Sequence, residues 1–483
     1  MGKNKCVDVT LKVFTGIMLF ISLVLTFTVS DYYIFDKFTQ YNPLFIISQW
    51  VKKTGLLLLP LTVFFNKRSC ADIAKYLLPI FVIISACTYG GFFDITMLTD
   101  DATDAQKVYA SINEFIPKGL HMLLFFLEGE LMLAACALLF VRDGFGINLR
   151  SLKYFPAAAL AVMPLNIFEN FYNENLFDNR SPEFTDSFLL FKSFTVWHLL
   201  VVAILIAFTL GCYYFLRNKP REKQHDYLAA MAIILLIQYH SKDSVVMGDG
   251  YNVYYTVFAC IPLFICNIGV YVACLSVFLK KRVLYATAFF VHAAGAVTVF
   301  LYFGDSISNY GIFCGYSILY FCLTHCLLFV LSVLPTALGH YKFRPKDAII
   351  PLIYYCVVIV VAAISSALVT SASMEFSYGG YTLAENEWLY PNYAFTQKNP
   401  LPIPEPVLNV RIWRCDMNIA YLIILYAVYV ALFYAMNGAY YAFLAIRGRI
   451  LKRRAPAVGV SEIPNEMAEA AFSDDSEKDG KET

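Results

Sequence analysis

The chain has 483 residues, of which 59% are hydrophobic and 15% charged, with a formal net charge of +1. Soluble domains carry about 25% charged residues, so the composition is that of an integral membrane protein. No basic stripe stands outside the loops that flank apolar runs, which argues against nucleic-acid binding. Thirteen cysteines are scattered without a C-x-x-C pair, so neither a zinc site nor a thioredoxin-like motif nor a complete disulfide framework is expected. No metal and no cofactor is indicated.

Twelve apolar segments reach spanning length, covering 13–30, 44–65, 76–98, 117–141, 154–172, 190–216, 227–244, 253–279, 283–303, 310–338, 347–371 and 416–445. The first follows Lys3 and Lys5 as a signal peptide would. It lacks a small-residue cleavage site and reads as an uncleaved span. Every second loop is basic: Lys67, Arg68 and Lys75; Arg142, Arg150 and Lys153; Arg217, Lys219, Arg221 and Lys223; Lys280, Lys281 and Arg282; Lys342, Arg344 and Lys346; Arg447, Arg449, Lys452, Arg453 and Arg454. The alternate loops are acidic or poor in Lys and Arg, so the positive-inside rule puts both termini in the cytoplasm, in a plasma membrane. The longest outer loop, 371–414, holds Trp388 and Trp413 and has no obvious secondary structure. The tail 455–483 is acidic and is expected to be disordered.

The halves resemble each other. The run from Gly55 to Arg68 lies on Gly269 to Arg282 without gaps, and the same shift puts Gly90 on Gly304. The basic loop with Phe145 matches the one with Phe343. The expected fold is therefore an all-α polytopic bundle of about twelve transmembrane helices in two parallel six-helix repeats. These are 1–225, 226–454 and then the tail, with a pseudo-symmetry axis along the membrane normal.

Two sets of residues carry chemistry. The run Phe258 to Arg282 reads as one span kinked at Pro262, with Cys266 at its middle. The run Tyr310 to Leu334 carries His325 near its own middle. A cysteine and a histidine at similar depth can form a nucleophile–base pair, although a buried free cysteine otherwise packs as a small hydrophobe. Under the repeat, Cys266 falls on Lys52 and Asn267 on Lys53, charges in the middle of an apolar run. Glu128 and Glu130 stand at similar depth in the fourth span, so a buried ion pair is expected between the two sets. His121 lies two turns before Glu128, while His198 and His292 are expected to pack.

The residues Ile261-Pro262-Leu263-Phe264-Ile265-Cys266-Asn267 resemble the Leu-Pro-Leu-His-x-Cys-Asp/Asn helix of the YwaF-like integral membrane proteins. Gly295, the run Phe321-Cys-Leu-Thr-His325 and the turn Lys342-Phe343-Arg344-Pro345 continue the pattern over about residues 250–445. The resemblance implies a membrane-lipid partner and an acyl-lipid substrate. It also implies a phospholipid acyltransferase activity, with Cys266 as the acyl-accepting nucleophile and His325 as its base. Asn267 or the backbone then holds the oxyanion. Phe264 stands where bacterial members carry histidine. Without the resemblance, six plus six parallel spans also suit a transporter that uses the Lys/Glu set as ligands. A non-catalytic scaffold is a further alternative.

Overall fold

The computed structural model describes residues 2–28, 43–94, 118–165, 191, 193–248, 263–301, 316–375, 377–378, 381–382 and 409–454. The tail 455–483, Trp388, Pro262 and the segments joining several helices lie outside these residues. The helices, in chain order, are α1 (Gly2–Thr28), α2 (Pro43–Val63), α3 (Arg68–Asp94), α4 (Lys118–Asp143), α5 (Phe155–Ala161), α6 (Val196–Leu216) and α7 (Arg221–Gly248). Then come α8 (Ile265–Leu279), α9 (Arg282–Leu301, with a π-helical turn over Ala288–Ala293), α10 (Tyr316–Ala337), α11 (Ile349–Glu375) and α12 (Ile419–Arg454). Two compact units part within α12, after Val430. The second holds the rest of that helix, where the rings of Tyr440 and Tyr441 meet edge-on at 5.5 Å.

Six helical stretches are long and apolar enough to cross a membrane: Lys5–Val24, Val196–Leu216, Arg282–Leu301, Ile318–Ala337, Lys346–Leu368 and Ile419–Ala442. A 21-residue helix such as α6 is about 31 Å long, the thickness of a bilayer's hydrocarbon core. Only 17% of α6 is buried by protein, against 72% of Arg282–Leu301. Its Leu199, Ile204, Ile206, Phe208 and Leu210 face outward. A helix apolar all round and left uncovered is stable in lipid and not in water.

Two apolar clusters hold the bundle. One joins α1 to α4 through Leu11, Met18, Leu59, Leu78, Met132 and Leu139. The other joins the end of α6 to α7, α8 and α10 through Leu216, Ala232, Val270, Ala273, Val277, Leu327 and Leu331. Leu57 and Leu61 of α2 meet Ile233 of α7, so the two clusters abut.

The structure departs from the sequence expectations in three places, each with a physical cause. The segment 154–172 forms only the seven-residue α5 among the described residues. Pro164 disfavours a helical residue before it. The carbonyls left open at Ala159 and Ala161 accept from Trp50 Nε1 at 2.7 Å and Gln238 Nε2 at 3.0 Å, so side chains finish this helix inside the bundle. The single span expected over 258–282 begins at Ile265, after an extended Phe264 at φ −72°, ψ 139°. A proline two residues earlier in the chain favours a fresh start over continuation. The outer loop is not wholly irregular. Asn409–Ile412 and Cys415–Asn418 pair antiparallel, and Ser377–Tyr378 pairs with Tyr381–Thr382, which adds two short hairpins to the all-α class.

Gly269 permits a close approach between α8 and α9. A Cβ there would come within 2.6 Å of His292 Nδ1 in the π-helical turn, whereas a Cβ at Gly211 on α6 meets nothing within 4 Å. His292 is held from its far side, with Nε2 3.3 Å from the Tyr354 hydroxyl, so the ring has nowhere to yield. Gly269→Ala is therefore expected to cost about 1–3 kcal/mol by overpacking. Gly211→Ala should be neutral or add up to about 1 kcal/mol through helix propensity. Thermal unfolding in detergent compares the two, and equal effects would contradict the contact.

Candidate functional site

The sequence-derived residues fall into two groups, one on α2 and α4 and the other on α8 and α10. In the first, Lys52 Nζ on α2 lies 3.1 Å from Glu128 Oε1 on α4, with the glutamate side chain 1% exposed. Ser22 of α1 donates to the same carboxylate oxygen, so one buried anion ties three helices. Lys52 also stands 5.9 Å over the ring of Phe81. Lys53, next in the chain, is half-buried. Glu130 is exposed from the protein and shares with Glu128 the lining of a cavity of about 90 Å³, between Phe81, Val82, Phe126 and Leu133. The His121 side chain lies outside the described residues.

The second group includes Cys266. Because α8 starts at Ile265, the thiol stands in the first helical turn. Phe264 offers no side-chain cap to that turn, and the first backbone bond from within it runs from Ile268 N to Phe264 O at 3.0 Å. The N–H groups before Ile268 have no carbonyl inside the helix to donate to, and they carry the positive end of the helix dipole. Cys266 Sγ is half-buried and donates to Asn267 Oδ1 at 3.6 Å. Tyr429, from α12, comes within electrostatic reach of the thiol and hydrogen-bonds Thr298. The hydroxyl of Thr298 donates in turn to Gly295 O at 2.7 Å. Tyr355 stacks on Tyr429 with ring centroids 4.2 Å apart.

His325 is buried on α10, at 4% exposure. Its Nδ1 is 2.8 Å from Phe321 O. A carbonyl only accepts, so Nδ1 carries the proton and the neutral ring keeps its lone pair on Nε2. The ring lies against Phe321 at 4.0 Å and edge-on to Phe300 at 6.5 Å. Helices α8 and α10 pack through the cluster of Val270, Ala273, Leu327 and Leu331, with Cys266 and Leu323 at its margin. At about 1.5 Å per residue, Cys266 lies about 20 Å from the Leu279 end of α8 and His325 about 18 Å from the Ala337 end of α10.

His198 and His240 are structural ties. Phe194 N donates to His198 Nδ1 at 2.7 Å, so Nε2 must be the donor to Phe300 O at 2.8 Å. That neutral ring fastens the start of α6 to the end of α9. His240 Nε2 lies 3.4 Å from the Tyr271 hydroxyl. Sequence reasoning missed Ser22, Thr298, Tyr271 and Tyr429. A tyrosine among 34 carries no signal, and a serine in an apolar helix is ordinary. Among the described residues no three His, Cys, Asp or Glu side chains converge to hold a metal ion.

The sequence pattern of the TMEM164 family matches residues 191–437, just over half of the chain. The chain belongs to the TMEM164 family. This is a family of membrane proteins, in keeping with the six spanning helices. It is this family, and not the YwaF-like one, that the match shows. The match takes in α6 to α11 and the first half of α12, hence both Cys266 and His325. The Lys52–Glu128 cluster lies outside it. No curated protein and no solved structure matches the chain.

The ion pair yields a direct expectation. Glu128→Gln strands the Lys52 charge among apolar side chains, and breaking a buried pair costs roughly 3–5 kcal/mol. Glu128→Gln combined with Lys52→Met should therefore be less destabilising than the sum of the single changes in thermal unfolding. Additive losses would show that the two charges do not depend on each other.

Proposed function

We propose that this TMEM164-family protein is a membrane acyltransferase that carries an acyl chain of a phospholipid as a thioester on Cys266. The observation that carries the reading is the position of Cys266 in the first turn of a helix that begins inside the bundle. Negative charge on sulfur is stabilised there by the positive end of the helix dipole. A cysteine on a regular, lipid-facing stretch of helix has no such help.

The cycle is two acyl transfers. The Cys266 thiol gives its proton to His325 Nε2, and the sulfur attacks the ester carbonyl of a donor phospholipid. The tetrahedral oxyanion is held by first-turn N–H groups or by the Asn267 side-chain amide. As it collapses, the ester C–O bond breaks, and the leaving alkoxide takes the proton from His325, giving a lysophospholipid and an acyl-Cys266 thioester. In the second half, the hydroxyl of an acceptor lysophospholipid loses its proton to His325 and attacks the thioester. The C–S bond breaks, and the thiolate recovers the proton. One ester is consumed and one is made, so neither oxidant nor water is needed. The Phe321 bond supports this role for His325 because it leaves Nε2 as the basic nitrogen.

The wider organisation belongs to the same proposal. The order α2–α3–α4, 3₁₀ turn, α5 resembles α8–α9–α10, 3₁₀ turn, α11, with the turns at Leu149–Tyr154 and Pro345–Ala348. That parallel supports a tandem repeat with two diverged sites, Lys/Glu in one half and Cys/His in the other. The basic loops support cytoplasmic termini in a plasma membrane. The cavity beside Glu128 and Glu130 favours the transport alternative for the first half.

Purified protein given a phospholipid labelled in its acyl chain and an unlabelled lysophospholipid tests the reading. Cys266→Ala is expected to abolish transfer. His325→Gln is expected to slow it by about 10²–10⁴-fold, the usual value of general-base help. Cys274→Ala removes a thiol bonded to Ala232 O one helix face away and should leave the rate within about twofold of wild type. Full activity in Cys266→Ala would end the acyltransferase reading and put transport first.

A further inference from the structure

At the basic end of the bundle, the ends of three helices bring four basic side chains together. Arg221 and His225 stand one turn apart on the first turns of α7, hence on one face. Lys280 caps the end of α8 in the left-handed region, at φ 54°. His340 follows the end of α10. There Gly339 at φ +80° lets His340 N donate to Pro335 O at 2.8 Å and Gly339 N to Thr336 O at 3.0 Å. This is a Schellman-type ending that needs glycine and fixes the next residue. The ends are tied to one another. Arg221 Nη1 donates to Gly339 O at 2.8 Å, and His225 Nε2 donates to Val277 O at 2.8 Å.

Four other basic groups on this side of the bundle are paired. Lys75 meets Asp72, Arg142 meets Asp143, Arg282 meets Asp347 and Lys67 meets Asp226. Each has a carboxylate. Lys280 and His340 have none among the described residues, and Asp226, the acid that faces His225, is held by Lys67. His340 Nε2 is buried and without a hydrogen-bond partner. Arg221 spends one N–H on Gly339 and has four more. A buried imidazole nitrogen without a partner, ringed by uncompensated positive charge at the depth of lipid headgroups, is an incomplete constellation. A tetrahedral oxyanion completes it.

We propose that Arg221, His225, Lys280 and His340 form a binding site for a phosphate-bearing anion, and that filling it takes up protons. The site is separate from Cys266 and does not rest on acyl transfer. His225 Nε2 is committed to Val277, so its Nδ1 is the atom that titrates. The groups facing the two imidazoles are Arg221, Lys280, Lys67 and Asp226. Burial lowers the pKa of both rings. For His340 the neighbouring Arg221, His225 and Lys280 add to this and hold it at about 4. Near pH 7 both rings are therefore neutral in the empty site. A bound anion reverses the local field and draws protons onto them, so affinity must rise as pH falls towards the empty-site values.

The test uses the full chain. Native mass spectrometry in detergent with phosphatidylglycerol or phosphatidylcholine probes a headgroup. Calorimetry with glycerophosphoglycerol, whose phosphodiester keeps one charge across the range, probes the soluble form at pH 6, 7 and 8. Binding of phosphatidylglycerol alone assigns a lipid ligand, and binding of both assigns the phosphate group itself. In either case Arg221→Gln and Lys280→Gln should weaken binding about tenfold or more each, while the exposed Arg150→Gln should not. His340→Gln should retain binding at pH 8 and lose most of the gain on going to pH 6. Melting temperatures equal to wild type separate these effects from misfolding, and the exposed Lys280 is the variant least able to disturb the fold. Absence of binding to either probe, or binding indifferent to Arg221 and Lys280, would overturn the site.

Discussion

Hydrocarbon offers a backbone no hydrogen bonds, so a helix that starts or stops inside a membrane bundle must find partners for its open N–H or C=O groups within the protein. Two elements here are governed by that constraint. Helix α5 stops at Ala161, and its end is closed by Trp50 from α2 and Gln238 from α7, side chains far away in the chain. Helix α8 starts at Ile265 and has no side-chain cap. Its first turn, the positive end of the helix dipole, holds Cys266 and Asn267. The same rule that closes one helix end with tryptophan and glutamine leaves the other as a polar spot in an apolar setting.

The surroundings of that spot are closely packed. The π-helical turn over Ala288–Ala293 delivers His292 against Gly269, one turn beyond Cys266. Such turns occur often at functional sites because they shift side chains out of the regular register. Tyr429 lies near the thiol and is itself held by Tyr355 and Thr298, and α10 carries His325 about as far from its end as Cys266 is from the end of α8. In the other half, Lys52 and Glu128 bind three helices through one carboxylate. The two halves thus spend polar groups differently, one on a closed ion pair and the other on an open helix start.

Much of this was legible in the sequence, for identifiable reasons. Apolar runs marked α1, α6, α10, α11 and α12, because a lipid-facing helix must be apolar over its full length. Lys52, Glu128, Cys266 and His325 stood out as charged or reactive groups in apolar runs. Which lysine meets which glutamate was not legible, since it depends on helix phase and on Ser22, an unremarkable serine. The helix start at Ile265 was not legible because Pro262 reads equally as a kink in one span, and hydropathy runs smoothly from Phe258 to Leu279. The early stop of α5 rests on partners more than seventy residues distant for Gln238, and no local pattern encodes that. The convergence of Arg221, His225, Lys280 and His340 looked like ordinary loop charge until the helix ends were seen together.

The central claim is that the helix start at Ile265 makes Cys266 a nucleophile and not a packed thiol. Intact-mass measurement of the purified protein after incubation with a single defined phospholipid tests it most directly. The account predicts one added acyl mass, located by peptide mapping to Cys266 and removed by neutral hydroxylamine, which cleaves thioesters and spares oxygen esters. An unmodified chain under conditions where acyl transfer is measurable, or an acyl group found on another cysteine, would contradict it.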